Sequence, residues 1–248
     1  MNIGRRVYGL GAISMGLVRV AFHPPQAPLG DAIAWGGGGI LILGGALLNL
    51  PRTAAAGAAV LAACFALSAV VLGGPPLIAQ PLVQLSWQNF AELAALAAGG
   101  VVAYARAPAA EPDRAATIAR AGRQAFGLCL PVFGASHFVY ARLTASLVPA
   151  WLPPGGLFWT YATGLAQIAA GLALLSGIQA RLAAALLTLM YALFALLVHT
   201  PLILAAPHTG DNWAELCETL ALAGVAWATA DSAGRKPVAN SGQSSHNH

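Results

Sequence analysis

Charge is scarce in this chain. Only 8% of its 248 residues are Asp, Glu, Lys or Arg, against 58% hydrophobic ones and a mean hydropathy of +0.71. So little charge cannot cover a chain with polar surface in water, which excludes a soluble globule and predicts an integral membrane protein. Cysteine is nearly as rare. Cys64, Cys129 and Cys217 each stand alone in an apolar stretch with no Cys-x-x-Cys pair, which offers neither a disulfide framework nor a metal cage and argues against dithiol redox chemistry. Small apolar filler in helices accounts for them. A Ser nucleophile elbow, a phosphate-binding loop and a zinc-protease signature are all missing. The apolar run after Arg5 and Arg6 has no small-x-small cleavage site and continues past Arg19 to His23-Pro24-Pro25, so it reads as a retained first helix rather than a signal peptide.

What is present is present twice. Asn89-Phe90-Ala91-Glu92-Leu93 returns as Asn212-Trp213-Ala214-Glu215-Leu216, an offset of 123 residues (212 − 89). Pro76-Leu77-Ile78 returns as Pro201-Leu202-Ile203, and Gly9, Gly16 and Arg19 return as Gly127, Gly134 and His137 at an offset of 118 (127 − 9). Two tandem copies of one membrane module explain this. A bilayer core asks for about 20 apolar residues per helix. Stretches of that kind run over 6–22, 33–50, 54–72 and 89–105, then over 124–140, 158–176, 181–199 and 212–230. Pro51 and Gly73-Gly74-Pro75-Pro76 mark helix ends. Residues 106–123 hold Pro108, Glu111, Pro112, Asp113 and four arginines, and form the polar module boundary. The predicted organisation is a first four-helix module over 1–105, a basic linker over 106–123, a second module over 124–230 and a disordered tail over 231–248.

Four crossings separate Glu92 from Glu215, so both modules point the same way. The predicted fold is all-α: eight transmembrane helices as two parallel four-helix bundles side by side. Small residues such as Ala12, Gly16, Gly44, Gly45, Gly164 and Gly171 supply the close helix seams that lipid cannot drive hydrophobically. The run Gly36 to Gly39 lies inside a span and reads as packing surface, not as a phosphate loop.

Ten of the twelve basic residues fall on one predicted side: Arg5, Arg6, Arg52, Arg106, Arg114, Arg120, Arg123, Arg181, Arg235 and Lys236. This is the positive-inside pattern, so both termini are expected in the cytoplasm of a bacterial-type inner membrane, and the basic balance implies no nucleic-acid partner. On the other side, residues 77–88 and 141–157 carry Trp beside Pro and are expected to lie in the interface or re-enter the membrane.

Candidate chemistry gathers at that outer side. Asn-x-x-Glu at helix starts is the pattern of a capping box, which by itself explains Asn89, Glu92, Asn212 and Glu215. A functional reading stands beside it, because ionisable groups at membrane depth are costly; Glu218 lies one turn beyond Glu215 on the same face. The first helix of each module carries a base at the same predicted depth, Arg19 or His137. The expected pairs are therefore Arg19 with Glu92 and His137 with Glu215, each tying helix one to helix four, and only the histidine pair can trade a proton. Arg142, Trp151, Trp159, Tyr161, His199, His208 and Asp211 fall on the same side. The aromatic rings also fit an ordinary interfacial belt. The histidines lack metal-site spacing, so no metal is expected.

Residues 127–220 resemble the DoxX-like membrane proteins, four-helix modules related to the small subunit of a quinone-reducing thiosulfate oxidoreductase. The resemblance rests on Gly-Ala-Ser-His-Phe at 134–138, on Leu147-Val148-Pro149-Ala150-Trp151-Leu152-Pro153, and on Phe158-Trp159-Thr160-Tyr161-Ala162-Thr163-Gly164. In the first module Arg19 replaces the histidine and the Val-Pro-x-Trp-Leu-Pro element is missing. The resemblance implies helical bundles and a link to quinone or an electron-transfer partner. It leads to the expectation of a membrane subunit or anchor of a redox system that binds quinone or lipid through His137, Glu215, Trp151, Trp159, Arg142, His199, Asn212, Glu218, Arg19 and Glu92. The chain carries no catalytic signature of its own, and a partner protein would hold the redox cofactor. A non-catalytic scaffold or partner receptor is the alternative, and a proton-coupled transporter using Glu218 is a third reading.

Overall fold

A computed structural model of the protein covers residues 3–22, 28–108 and 112–233. The expected stop at His23-Pro24-Pro25, Glu111 of the linker, and the tail from residue 234 with Arg235 and Lys236 lie outside the described residues. Among the described residues the chain is all-helical, without a strand. In chain order the elements are α1 (Ile3–Ala21), α2 (Pro28–Asn49), α3 (Ala54–Ser68), a π-helical turn π1 (Ala69–Gly73), α4 (Gly74–Ala79) and α5 (Gln84–Ala105). They continue with α6 (Pro112–Val139), α7 (Ala141–Leu147), α8 (Gly156–Ser176), α9 (Ala180–Phe194), a second π-turn π2 (Ala195–His199), α10 (Thr200–Ala205) and α11 (Gly210–Ala233). Four stretches among them are long and apolar enough to cross a membrane: Gly30–Asn49, Ala54–Ala79, Gly156–Ser176 and Ala180–Ala205. The bent pair Arg114–Val139 and Ala141–Leu147, at 91°, brings the number to as many as 5.

These elements form two series, α1, α2, α3–π1–α4, α5 and then α6, α8, α9–π2–α10, α11. The π-turns are offset by 126 residues (195 − 69), and so are Gly45 and Gly171, which meet Gly9 of α1 and Gly127 of α6 at the same kind of crossing. This register differs by three residues from the one expected from the repeated pentapeptide. It makes Glu92 equivalent to Glu218 (218 − 92 = 126), and Asn89 equivalent to Glu215. Three residues are close to one helical turn, so a short identity one turn out of step still lands on a similar face.

What starts these helices is not the expected capping box. Asn89 lies five residues inside α5, whose N-cap Val83 makes no side-chain cap bond, and Asn212 lies within α11. Instead, an indole N–H donates to a proline carbonyl six residues earlier at three helix starts: Trp87 to Pro81 (2.9 Å), Trp159 to Pro153 (3.0 Å) and Trp213 to Pro207 (2.9 Å). Helices also run on where a stop is expected. The chain passes Gly73-Gly74-Pro75-Pro76 through π1 into α4, giving one stretch of 26 residues. Proline lacks an N–H and crowds the carbonyl one turn back, and a widened π-turn removes that conflict without ending the helix. Residues 77–88 accordingly split into the end of α4, a short turn and the start of α5. Most of the expected linker 106–123 is the first part of α6, and α11 extends past residue 230 to Ala233.

Helix one of each series seams onto helix four of the other. α1 packs on α2 and α11, and α6 packs on α8 and α5. The remaining neighbours are α2 with α3, α3 with α5, α8 with α9 and α9 with α11, while α5 and α11 meet across the middle. This exchange differs from the expected self-contained bundles, and small residues make it possible. A side chain on Gly4 would strike Ala228 of α11, and one on Gly122 would strike Val102 of α5, which are equivalent contacts (228 − 102 = 126). Gly99 of α5 meets Val225 of α11, its own equivalent, so a pseudo-twofold axis passes through that contact. The C-terminal ends of the same two helices are joined by Arg106 Nη1 donating to the Asp231 carbonyl at 2.7 Å, so α5 and α11 run parallel and the axis follows them.

Candidate functional site

Polar side chains inside the molecule concentrate in the second series and the seam it shares with α5. His137 sits near the end of α6 and faces α8. Its Nδ1 is 3.2 Å from the Thr160 carbonyl and 3.0 Å from Thr163 Oγ1, and its Nε2 is 3.1 Å from Gln167 Nε2. One proton arrangement satisfies the set: Nδ1–H donates to the Thr160 carbonyl, and Nε2 accepts from the Gln167 amide. Phe194 of α9 stacks on the imidazole, with ring centroids 6.1 Å apart and planes at 24°. Gln167 is 2% exposed and Thr160 is 1% exposed, yet Gln167 Oε1 and Thr160 Oγ1 have no protein partner. Buried acceptors and hydroxyls left this way cost free energy, so the polar cluster around His137 has unused hydrogen-bonding capacity.

A second polar group also packs against Phe194. Tyr191 packs edge-on against Phe194 at 6.3 Å, and its buried hydroxyl has no partner. It lies within electrostatic reach of Glu92 of α5 and Glu218 of α11. Glu92 accepts a 2.7 Å hydrogen bond from Gln88 Nε2, one turn back. Glu218 Oε1 is buried without a partner, and Glu215, with its side chain more exposed, completes a trio of carboxylates that act on one another. His199 of π2 meets Thr219 Oγ1 at 3.0 Å through Nε2, while its Nδ1 is buried and unpartnered.

Between α8 and α9 runs an apolar groove of about 480 Å³, lined on one side by Ala166, Ala169, Ala170 and Ala173 and on the other by Leu182, Leu186 and Met190. Its origin is visible in the first series. There Gly44 of α2 and Gly57 of α3 let the helices close up: a Cβ on Gly57 would run into the Leu48 backbone, and one on Gly44 would be 2.8 Å from Leu61 Cδ2. The equivalent residues in the second series are Ala170 and Ala183, whose methyl groups hold α8 and α9 apart. Gln167, which does not line the groove, follows Ala166 of its lining on α8, and Tyr191 follows Met190 on α9.

Of the residues singled out from sequence, the fold brings Glu92, Glu215 and Glu218 together and places His199 nearby through Thr219. His137 is close by through Phe194 and Tyr191, but its own partners are on α8. Among the described residues no ion pair joins His137 to Glu215 or Arg19 to Glu92. The exchanged packing is the reason: α1 seams onto α11 rather than α5, and Arg19 lies against Gly37 of α2, with its guanidinium carbon 3.5 Å from where a Cβ would stand. Asn212 Nδ2 donates to the Leu202 carbonyl at 3.1 Å and ties α11 to α10. Trp159 clamps the start of α8, Tyr161 stacks on Phe138 at 5.6 Å, and Trp151 is 70% exposed. Arg142, His208 and Asp211 are exposed. Gln167, Thr163, Tyr191, Phe194 and Gln88 were not singled out from sequence. Comparing the copies at an offset of 126 finds three of them, since Leu41, Gly37 and Phe65 stand opposite Gln167, Thr163 and Tyr191.

Residues 126–229 match a family described as a domain of unknown function, DUF8561. The match begins in α6 and ends in α11, so it spans the second series. No curated protein and no solved structure matches the chain.

Proposed function

We propose that this is an eight-span protein of a bacterial-type inner membrane, made of two parallel, interlocked four-helix repeats with both termini in the cytoplasm. Its second repeat binds a quinone-like amphiphile and serves a redox system as a membrane subunit, in keeping with the DoxX-like resemblance. One observation supports the binding reading: the apolar groove between α8 and α9 reaches Ala166, whose chain neighbour Gln167 is buried against His137 and keeps a free acceptor. An amphiphile with a flat polar head needs that combination, an apolar slot for its tail and a few placed polar groups for its head. Phe194 supplies a ring face beside the head position, and His137 supplies a group able to exchange a proton. The electron carrier would reside on a partner protein.

The test is titration of the purified protein in lipid nanodiscs with a short-chain quinone, read by quenching of tryptophan fluorescence. Gln167→Leu, which installs the residue of the first repeat, is expected to weaken binding roughly tenfold, the value of one buried hydrogen bond of about 1.4 kcal/mol. His137→Ala should weaken it at least as much. Quenching that is unchanged in both variants would show that no quinone sits at this position.

A further inference from the structure

We propose that Glu92 and Glu218 form a carboxyl dyad that holds one exchangeable proton on the seam between α5 and α11. The inference is independent of quinone binding and rests on where the two side chains stand. Each lies seven residues before the pair that meets on the pseudo-twofold axis, Gly99 and Val225. Seven residues make about two helical turns and return a side chain to the same face. Because α5 and α11 run parallel, both carboxyls are delivered to the same level of one seam. Each is within electrostatic reach of the other or of Glu215, and Glu218 feels both.

Polar groups around the dyad leave a proton-sized deficit. Glu218 Oε1 is buried with no hydrogen-bond partner, and Glu92 has one donor, Gln88. From α9, Tyr191 is 4% exposed and brings an unpartnered hydroxyl within electrostatic reach of both carboxyls. The other titratable groups facing this seam are Glu215 and, one turn back, Asp211 on α11; His199 on π2, through Thr219; and Cys129 on α6, beside Tyr191. On the first-series side Tyr8 of α1 donates to the Leu96 carbonyl of α5, one turn beyond Glu92, and Cys64 of α3 lies within electrostatic reach of Tyr8 and of Arg19. Among the described residues no Lys or Arg forms an ion pair with Glu92 or Glu218, and no group of three His, Cys, Asp or Glu is placed to hold a metal ion. Two like charges in an Ala- and Leu-rich interior without a counter-ion are strongly disfavoured. A single proton removes one of the charges and supplies the missing O–H donor. Loss of that proton leaves two carboxylates; gain of a second leaves two neutral acids.

The test uses the full chain in lipid nanodiscs and dicyclohexylcarbodiimide, an apolar reagent that adds to protonated carboxyls in low-dielectric sites. Mass mapping across a pH series is expected to find one adduct per chain, on Glu92 or Glu218, with a yield that falls as pH rises. In Glu92→Gln and Glu218→Gln the remaining carboxyl has lost its like-charged neighbour, so its labelling midpoint should move to lower pH by about one unit. Midpoints identical to wild type in both variants would show two independent acids, and absence of any adduct at these residues would remove the protonated species altogether. If neither variant folds, the wild-type infrared spectrum decides: a carboxylic C=O band that shifts in heavy water and titrates as one proton supports the dyad, and its absence overturns it.

Discussion

The two halves of this molecule share a scaffold and differ in what fills it. Where the first half has Phe65, Leu41, Gly37 and Gly73, the second has Tyr191, Gln167, Thr163 and His199 at the same register, and Arg19 gives way to His137. Gly44 and Gly57 give way to Ala170 and Ala183. One copy closes its helices tightly around apolar contacts, with Leu61 and Phe65 buried in the core. The other keeps a groove open and carries hydrogen-bonding groups with spare capacity. A buried polar group without a partner reduces stability, and Thr160, Gln167, Tyr191 and His199 of the second copy each hold such an atom where the first copy has Ala34, Leu41, Phe65 and Gly73. The first copy is the more closely packed of the two at this helix pair. It also lends the second copy one side chain, Glu92, across the shared seam.

That contrast can be broken at several points. The largest effect is expected for Gly57→Ala, where the added methyl meets the Leu48 backbone, which cannot move aside as a flexible side chain can. Overpacking there should cost about 2–3 kcal/mol, while the opposite change at the equivalent position, Ala183→Gly, should cost under about 1 kcal/mol. Denaturant unfolding in detergent micelles compares the two, and equal effects would mean that the halves do not differ in packing. Next is the exchange of a single hydroxyl. Phe65→Tyr places a polar atom in a closed apolar site and should destabilise by about 1–3 kcal/mol, whereas Tyr191→Phe removes an unpartnered hydroxyl and should be neutral or slightly stabilising. The smallest effect tests what the halves share: Trp87→Phe and Trp213→Phe each lose one indole-to-proline hydrogen bond and should cost about 1 kcal/mol apiece, by the same measurement.

Much of the helical layout was legible from hydropathy. The stretch expected over 33–50 is α2, Pro28–Asn49, and the one expected over 158–176 is α8, Gly156–Ser176. Local signals mislead where packing competes with them. Pro75 and Pro76 look like a stop until a π-turn absorbs them, and Asn89 and Asn212 look like caps until the Pro-to-Trp clamp starts each helix a turn earlier. The repeated pentapeptide was real but one turn out of register, and that hid the equivalence of Glu92 and Glu218. For the site, the histidine and the three glutamates stood out because ionisable residues are rare in this chain. Gln167 and Tyr191 did not, because an amide or a phenol in an apolar helix is unremarkable until its equivalent in the other copy is known.

Composition and periodicity by themselves determined that the chain is helical, apolar enough for a membrane and built as two similar series, since those properties add up residue by residue along the chain. Only the tertiary structure decided which helix meets which. The seams are made of Gly and Ala faces that look alike in sequence, and their choice of partner depends on shape fitting between distant segments. That choice carries α1 across to α11 and α6 to α5, separates Arg19 from Glu92, and sets two glutamates from different halves on a single buried seam.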